Sequence, residues 1–511
     1  MKKLFYILIL MSAAALSCTR DFDKINTNPN AILTVAPGQL LAPALTSAIS
    51  YNMIRNRNFN NELMQVTVNL SDAEGVVFRY DYRPTWSDYL YNGLYSELTN
   101  FRDVYKSAAA TETLNRSYMG IALICQSWLY SILTDTYGDI PYAEANRGKG
   151  EDGNIVEPVF DKQQDIYQGL FDSLERANTL LAAGDEIEAS ADPVYYGDVS
   201  KWRKFGNSLY LRLLLRVSGK SEVSESVISK IKEIVDTNPA DYPVISSNDE
   251  SAILKWTGVS PYISPYVNSV RAQDFRAVAL CSFFIDNLLI WSDPRLDGTN
   301  YGIDGINRLG IAKSNGFYAG VPSGYTPGED ISVLSYFYAI DQTVNGSSPP
   351  AITMQNEAKT GMILNYAEVQ LMLAEAAVKG WISGSAQQYY EEGAKSGITL
   401  WVTDWSGDIA TYLTNAGMQW SESESTDDKM EKIMLQKYYA MLFADLQQWF
   451  EYRRTGYPVL PKGDGLKNGG VMPARMVYPV YVQSTNPTNY KLAVASQGPD
   501  EIYTQVWWQK P

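Results

Sequence analysis

Two clusters of aromatic and basic residues have the composition of a surface that grips a flat, hydroxylated ligand. The first is FRYDYRPTWSDY, which carries Arg79, Tyr80, Tyr82 and Trp86. The second is SPYISPYVNSVR, with Tyr262, Tyr266, Asn268 and Arg271 in a proline-bounded loop where side chains are expected to be exposed. A pyranose ring presents C–H groups that pack on an aromatic face, while arginine or asparagine bonds its hydroxyls. Trp86 has a second reading, in which it starts a helix and its indole joins the core. Tyr318 and Tyr325, beside glycines, are further candidates of the same kind.

Other chemistries are narrowed by one absence: the chain has no histidine. That removes histidine-driven serine or cysteine nucleophiles and histidine-based zinc and iron sites. Chemistry with two carboxylates survives the filter, as in glycoside hydrolysis. Glu368 and Glu375 lie seven residues apart on a predicted helix, near one face, but a solvated face explains them without catalysis. Asp297, Asp304 and nearby asparagines miss the spacing of a twelve-residue calcium loop and read as a turn. Cys125 lies in an apolar helical run, and it and Cys281 show no metal-type spacing. Metal ligands and cofactors are expected to be absent, and a glycoside hydrolase working through carboxylates stays open as the alternative to a binding protein. Arg453 and Arg454 end a predicted helix and are expected to serve its C-terminal dipole, while Trp202, Trp449 and the pair Trp507–Trp508 read as structural.

The charge balance is acidic, −15, and loss of Lys2 and Lys3 would take it to −17. Such a surface argues against a nucleic-acid partner, which rewards basic patches. The start of the chain, MKKLFYILILMSAAALSC, has a positive end, a short apolar run and small residues leading to Cys18. This is the anatomy of a lipoprotein signal over residues 1–17, with Cys18 the lipidated new terminus and 18–36 a polar tether. The usual Leu three residues before the cysteine is replaced by Ala15, with Leu16 one place later. Cleavage after Ala15, leaving Cys18 as a free thiol, is the alternative.

Residues 37–511 read as one domain, mostly α with few short strands. Helical patterning starts near Pro37 and recurs over Asn61–Leu70 and Thr85–Lys106. Apolar stripes at steps of three and four run through Leu114–Leu133, Asp161–Leu181 and Lys201–Val217. From about 242 to 350 the chain is rich in Gly, Pro, Ser, Asn and Tyr, with one helical island around Asp274–Leu289; long loops of this kind carry function. Helices return at Leu364–Lys379, at a capped start on Ser385 and Gln388, and at Lys429–Arg453. The stretch Val471–Tyr490 reads as extended loop. The AEAA step and the later QQYYEEGAKSGI are similar to one tetratricopeptide unit.

Taken in order, several stretches resemble the SusD/RagB family, in its SusD-like lipoprotein branch. They are DFDKINTNPNA, LTDTYGDIPYAEA at 133–145, YYGDVSKWRKFGNSLYLRLLLRVS at 195–218 and WSDPRL at 291–296. NYAEVQLMLAEAAVKG at 365–380, QKYYAMLFADLQQWFEYRRTGYPVL at 436–460 and VWW at 506–508 complete the set. The resemblance implies tetratricopeptide-like helix pairs supporting a loop-rich ligand face, on a lipoprotein of the outer membrane exposed at the cell surface. It implies capture of oligosaccharides, sometimes peptides, for a partner TonB-dependent transporter of the SusC type, without catalysis. The family often places an arginine and a tryptophan from the first cluster at the ligand. Asp21 and Asp23 behind Cys18 fit surface export, although Arg20 and Phe22 interrupt the acidic run.

Overall fold

The computed structural model describes residues 35–148, 153–268, 278–297, 307–329, 331, 334–337 and 358–510. Two units are distinguished, Met1–Ala36 and Pro37–Pro511. Cys18, Arg271 and Asp304 lie outside the described residues, as does most of the first unit.

The apolar stripes decide how the helices of the second unit stack. α1 (Pro37–Arg55), α2 (Ser87–Ala109), α3 (Arg116–Tyr137), α4 (Gln163–Leu181) and α5 (Val199–Val217) follow one another, each packed on the next. On α4, Ile166, Leu170, Leu174, Ala177 and Leu181 are buried; on α5, Trp202, Phe205, Leu209, Leu213 and Val217 are buried. Each large apolar side chain so buried contributes roughly 1.5–3 kcal/mol. Polar caps set the starts: the side chains of Asn115 and Asp198 accept from the N–H groups of Tyr118 and Lys201 at 3.0 and 3.1 Å.

α6 (Ser224–Lys232) and α7 (Ser282–Ile290) lead to a second group. There α8 (Tyr366–Val378) and α9 (Ala386–Thr399) pair closely, with Ser385 accepting from the Gln388 N–H at 3.3 Å as its capping role predicts. α10 (Ile409–Asn415) follows, and α11 (Thr426–Ala440) packs on α8 and α9. α12 (Gln447–Thr455) and α13 (Pro487–Gln497) complete the helices used below.

The strands are short and antiparallel. β1 (Thr67–Asn69) pairs β3 (Val278–Leu280), β2 (Ala252–Leu254) pairs β6 (Gly361–Leu364), and β4 (Ile311–Ala312) pairs β5 (Tyr336–Phe337). Among the described residues no helix is long and apolar enough to cross a membrane. Cys125 and Cys281 are buried free thiols.

Four expectations about elements need correction. The helical pattern through Leu70 gives way after Leu63 to β1, and in the described part of the 274–289 island, from Val278 on, β3 comes first and the helix starts at Ser282. The single helix expected over Lys429–Arg453 is broken between Ala440 and Gln447, where Phe443 and Asp445 take φ of 74° and 28°. The break is held by the fold around it: Asn56 Nδ2 donates to the Asp445 carbonyl at 2.9 Å and Trp128 Nε1 to its Oδ2 at 3.2 Å. The stretch 471–490 is not all extended, since Val482–Thr485 and the start of α13 are helical.

Candidate functional site

α1 does not stop at Arg55 but continues into a wider, π-helical turn at Asn56–Asn60. Such turns interrupt regular helices and recur at functional sites. Here the turn sends Asn56 and Asn60 inward, where Asn60 Nδ2 donates to Gln448 Oε1 at 2.7 Å, and leaves Arg57 and Asn58 half-buried. Arg55, buried, reaches across to the start of α2. Its guanidinium carbon lies 4.9 Å from the Trp86 ring centroid and 4.8 Å from that of Tyr89. Nη2 donates to the Trp86 carbonyl at 2.9 Å and Nη1 to Asn58 Oδ1 at 3.3 Å.

The aromatic part of the site is an arc. Tyr51 and Tyr89 have ring centroids 5.1 Å apart, and Trp86 is 6.2 Å from the core ring of Phe59. Tyr51 lies over Gly93, where an added Cβ would come within 2.4 Å of its ring, so the α2 position must be glycine for Tyr51 to lie there. Tyr51, Trp86 and Tyr89 are each half-buried.

The electrostatics are one-sided. Burial lowers the pKa of both Arg55 and Arg57, and the two repel. Among the described residues neither has a carboxylate partner. Glu62, five residues on, is not that partner: burial pushes its carboxyl up to about 8, against a hydrogen bond from the Phe78 backbone. Asp88 acts instead on Tyr137 and Tyr481.

The structure separates the side chains that the sequence grouped. Trp86 stands in the arc, with its indole half-buried. Arg79 is buried between Phe78 and Tyr325, 4.8 Å from each ring centroid, and Nη1 donates to the Ser71 carbonyl at 2.7 Å. Tyr80 is buried, and its hydroxyl accepts from Gln65 at 3.4 Å. Tyr82 is buried and donates to the Arg475 carbonyl. In the second cluster Tyr262 is half-buried, while Tyr266 is buried with its hydroxyl accepting from Asn61 Nδ2 at 2.9 Å. The exposure expected of the proline-bounded loop therefore fails at Tyr266, because its ring packs edge-on against Phe443 at 5.3 Å. Asn268 ends a short helical turn from Pro265, and its side chain is not among those described. The two clusters are nevertheless joined: Arg57 donates to the Tyr266 carbonyl. Tyr325 is buried, and Tyr318 bonds Asn307 at 2.7 Å.

Tyr51, Arg55, Arg57 and Tyr89 were missed from sequence. Their only local signal is Arg-x-Arg in the polar run RNRN that follows the apolar α1, and Tyr89 three residues after Trp86. A second aromatic groove, about 490 Å³, runs along α2 and is lined by Tyr91, Asn92, Tyr95, Asn146, Pro158 and Tyr481 among others. Tyr481 donates to Asn92 there, and no charged side chain lines it.

Comparison with known proteins gives a family. The SusD-like family described as starch-binding and associating with the outer membrane matches residues 29–479. The chain belongs to the SusD-like family. Similar solved structures include a SusD homologue from Bacteroides uniformis, 23% identical, covering 93% of this chain and 99% of its own, TM-score 0.74. A chitin-binding SusD homologue from Flavobacterium johnsoniae is 20% identical over 93% of this chain and 98% of its own, TM-score 0.75. An outer-membrane protein from Bacteroides vulgatus, provisionally described as nutrient-binding, is 26% identical over 93% and 100%, TM-score 0.69. No curated protein matches the sequence.

The carboxylates of this SusD-like chain that resembled a catalytic pair have other work. Glu368 and Glu375 are fully buried, not on the solvated face expected of them. Arg212 grips Glu368 with two bonds of 2.7 Å, and Arg454 grips Glu375 with two of 2.6 Å. Burial pushes the Glu375 carboxyl up, but Arg454 and Lys379 more than reverse this, so it stays below the ordinary range. Arg454 thus pairs inside the core instead of serving a helix end, and Arg453 lies 3.9 Å from the Trp449 centroid while donating to the Asp135 carbonyl at 2.6 Å. Trp202, Trp449 and Trp508 are buried, and their indole N–H groups donate to Asp192, Pro473 and Asp135.

Proposed function

We propose that this SusD-like protein captures oligosaccharides at the cell surface and passes them to a TonB-dependent transporter of the SusC type, tethered through lipid on Cys18. The observation that carries the reading is the half-buried arc of Tyr51, Trp86 and Tyr89, with the Arg55 guanidinium over the Trp86 and Tyr89 rings and Arg57 two residues on in the adjoining turn. Aromatic faces hold the apolar side of a sugar ring, and arginine and asparagine donors orient its hydroxyls. Trp86 is the central contact, and Tyr262 adds a second half-open ring from the neighbouring loop. Arg79, Tyr80 and Tyr266 hold the surrounding loops by packing and hydrogen bonds, and Asn268 and Arg271 are proposed as further ligand contacts. The starch- and chitin-binding descriptions of the family and of the Flavobacterium homologue favour glycans over peptides as ligand. Binding without turnover is supported by the arginine pairing of Glu368 and Glu375, the carboxylates whose helical spacing had suggested an acid pair.

Titration calorimetry of the full chain in detergent against glycans and peptides tests this. Saturating heat with the glycan recovered intact is the expected result. Continuing heat with shortened product would make the protein a hydrolase, and saturation by peptides alone would replace the ligand class.

A further inference from the structure

We infer that the Trp86 arc selects acidic glycans, with Arg55 and Arg57 seating a carboxylate or sulfate substituent of a sugar held on the aromatic face. This rests on the glycan-capture reading and narrows its ligand class.

The first support is an imbalance. A chain of net charge −15 has carboxylates to spare. It places them against buried Arg212, Arg454 and Arg475, whose carboxylate partners lie 2.6–3.0 Å away, whereas Arg453 in the core is bonded to carbonyl and amide oxygens and stacked on Trp449. At the arc buried Arg55 and half-buried Arg57 meet none among the described residues. Two such cations repel one another, and an anion arriving between them relieves both costs. A neutral sugar needs only hydrogen-bond donors, which asparagine or glutamine supplies without this penalty.

The second support is unused bonding capacity. A guanidinium carries five N–H donors in a planar fork that matches carboxylate and sulfate oxygens. Arg55 spends Nη1 on Asn58 and Nη2 on the Trp86 carbonyl, and its Nε is buried with no partner among the described residues. Among the described residues Arg57 makes one hydrogen bond, to the Tyr266 carbonyl. The third is position: the Arg55 guanidinium lies over the Trp86 and Tyr89 rings, 4.9 and 4.8 Å from their centroids, so its charge is part of the aromatic platform itself. The uncharged groove along α2 has the aromatic surface without this feature. A face built for ring stacking favours an acidic sugar over an acidic peptide.

The test is affinity of the full chain in detergent for oligogalacturonate, alginate and chondroitin sulfate oligosaccharides. Each is measured beside its carboxyl-reduced or desulfated form, with maltohexaose, chitohexaose and oligoglutamate for reference. At least one acidic oligosaccharide is expected to bind about tenfold or more tightly than its neutralised form, the scale of a charge-assisted hydrogen bond. Carboxyl reduction and desulfation then tell which anion is read. The preference should shrink as salt rises, vanish in Arg57→Gln and survive in part in Arg57→Lys. Neutral glycans bound with no acidic preference would overturn the inference and leave glycan capture standing. A preference that persists in Arg57→Gln would overturn the assignment to these residues. Binding of oligoglutamate alone, or of nothing, would overturn both readings.

Discussion

Buried cations are treated in opposite ways in two regions of this protein. In the helical core, Arg212 of α5 faces Glu368 of α8, and Arg454 of α12 faces Glu375 of α8 and Glu451. Lys437 and Arg216 close on the same Glu451 at 2.7 and 3.2 Å. At the end of α1, Arg55 is buried and Arg57 half-buried, and among the described residues neither has such a partner. The first arrangement is complete in itself and ties together helices that are far apart in the chain. The second has no such closure within the described residues, and it adjoins the half-buried aromatic arc proposed to take the ligand.

The sharpest way to break the comparison is to make the core incomplete too. Arg212→Met leaves Glu368 buried and unpaired, and should cost about 3–5 kcal/mol in urea unfolding. A loss no larger than that of a surface substitution would mean the pair is not the tie described here.

Glu62 is the mirror case, a buried acid without a cation. Its folded carboxyl is pushed up to about 8, above the ordinary value of 4.5, so the folded state holds an extra proton between those values. Stability from this group is present below pH 4.5 and is lost as pH rises through 8. Glu62→Gln should therefore gain about 2–3 kcal/mol over the parent between pH 5.5 and 7.5. A constant difference across that range would refute the shift. Glu375 and Glu451 have the opposite sign: their folded carboxyls lie below 4.5, so their stabilisation is full above it and is lost as pH falls further. Parent protein should unfold more readily in urea at pH 3 than at pH 6, and Glu375→Gln should flatten that difference.

On the open side, Trp86→Ala should weaken glycan binding by about 2 kcal/mol while the melting curve keeps its cooperative shape. Loss of the fold instead would mean that the indole serves the core. The smallest effect belongs to Arg57→Gln, whose unfolding free energy should stay within about 0.5 kcal/mol of the parent. That near-silence in stability, set against the cost at Arg212, would separate a cation kept for a ligand from one kept for the fold.

How much of this could be read from sequence follows the range of the interactions. α4 and α5 announce themselves through stripes whose spacing is a property of the helix alone, and the caps at Asn115, Asp198 and Ser385 lie within three residues of the groups they bond. α13 shows no such stripe, since it buries only Ala493 and Gln497, and Pro487 at its first turn was its one cue. The break after Ala440 had no cue either, because positive φ at Phe443 and Asp445 is imposed by Asn56 and Trp128, more than 300 residues away in sequence.

The site divides along the same line. Residue type marked the stretch around Trp86 as able to hold a sugar, and the absence of histidine limited the chemistry to carboxylates. Those conclusions depend on side-chain chemistry and survive any fold. Whether a given side chain is buried, and what stands beside it, depends on which helices meet. Only the tertiary structure withdrew Arg79, Tyr80 and Tyr266 into packing, paired Glu368 and Glu375 with arginines, and brought Arg55 to Trp86 across 31 residues. A periodic pattern says which face of a helix turns inward, but not which partner it meets there, and the energy of a buried charge is set by that partner.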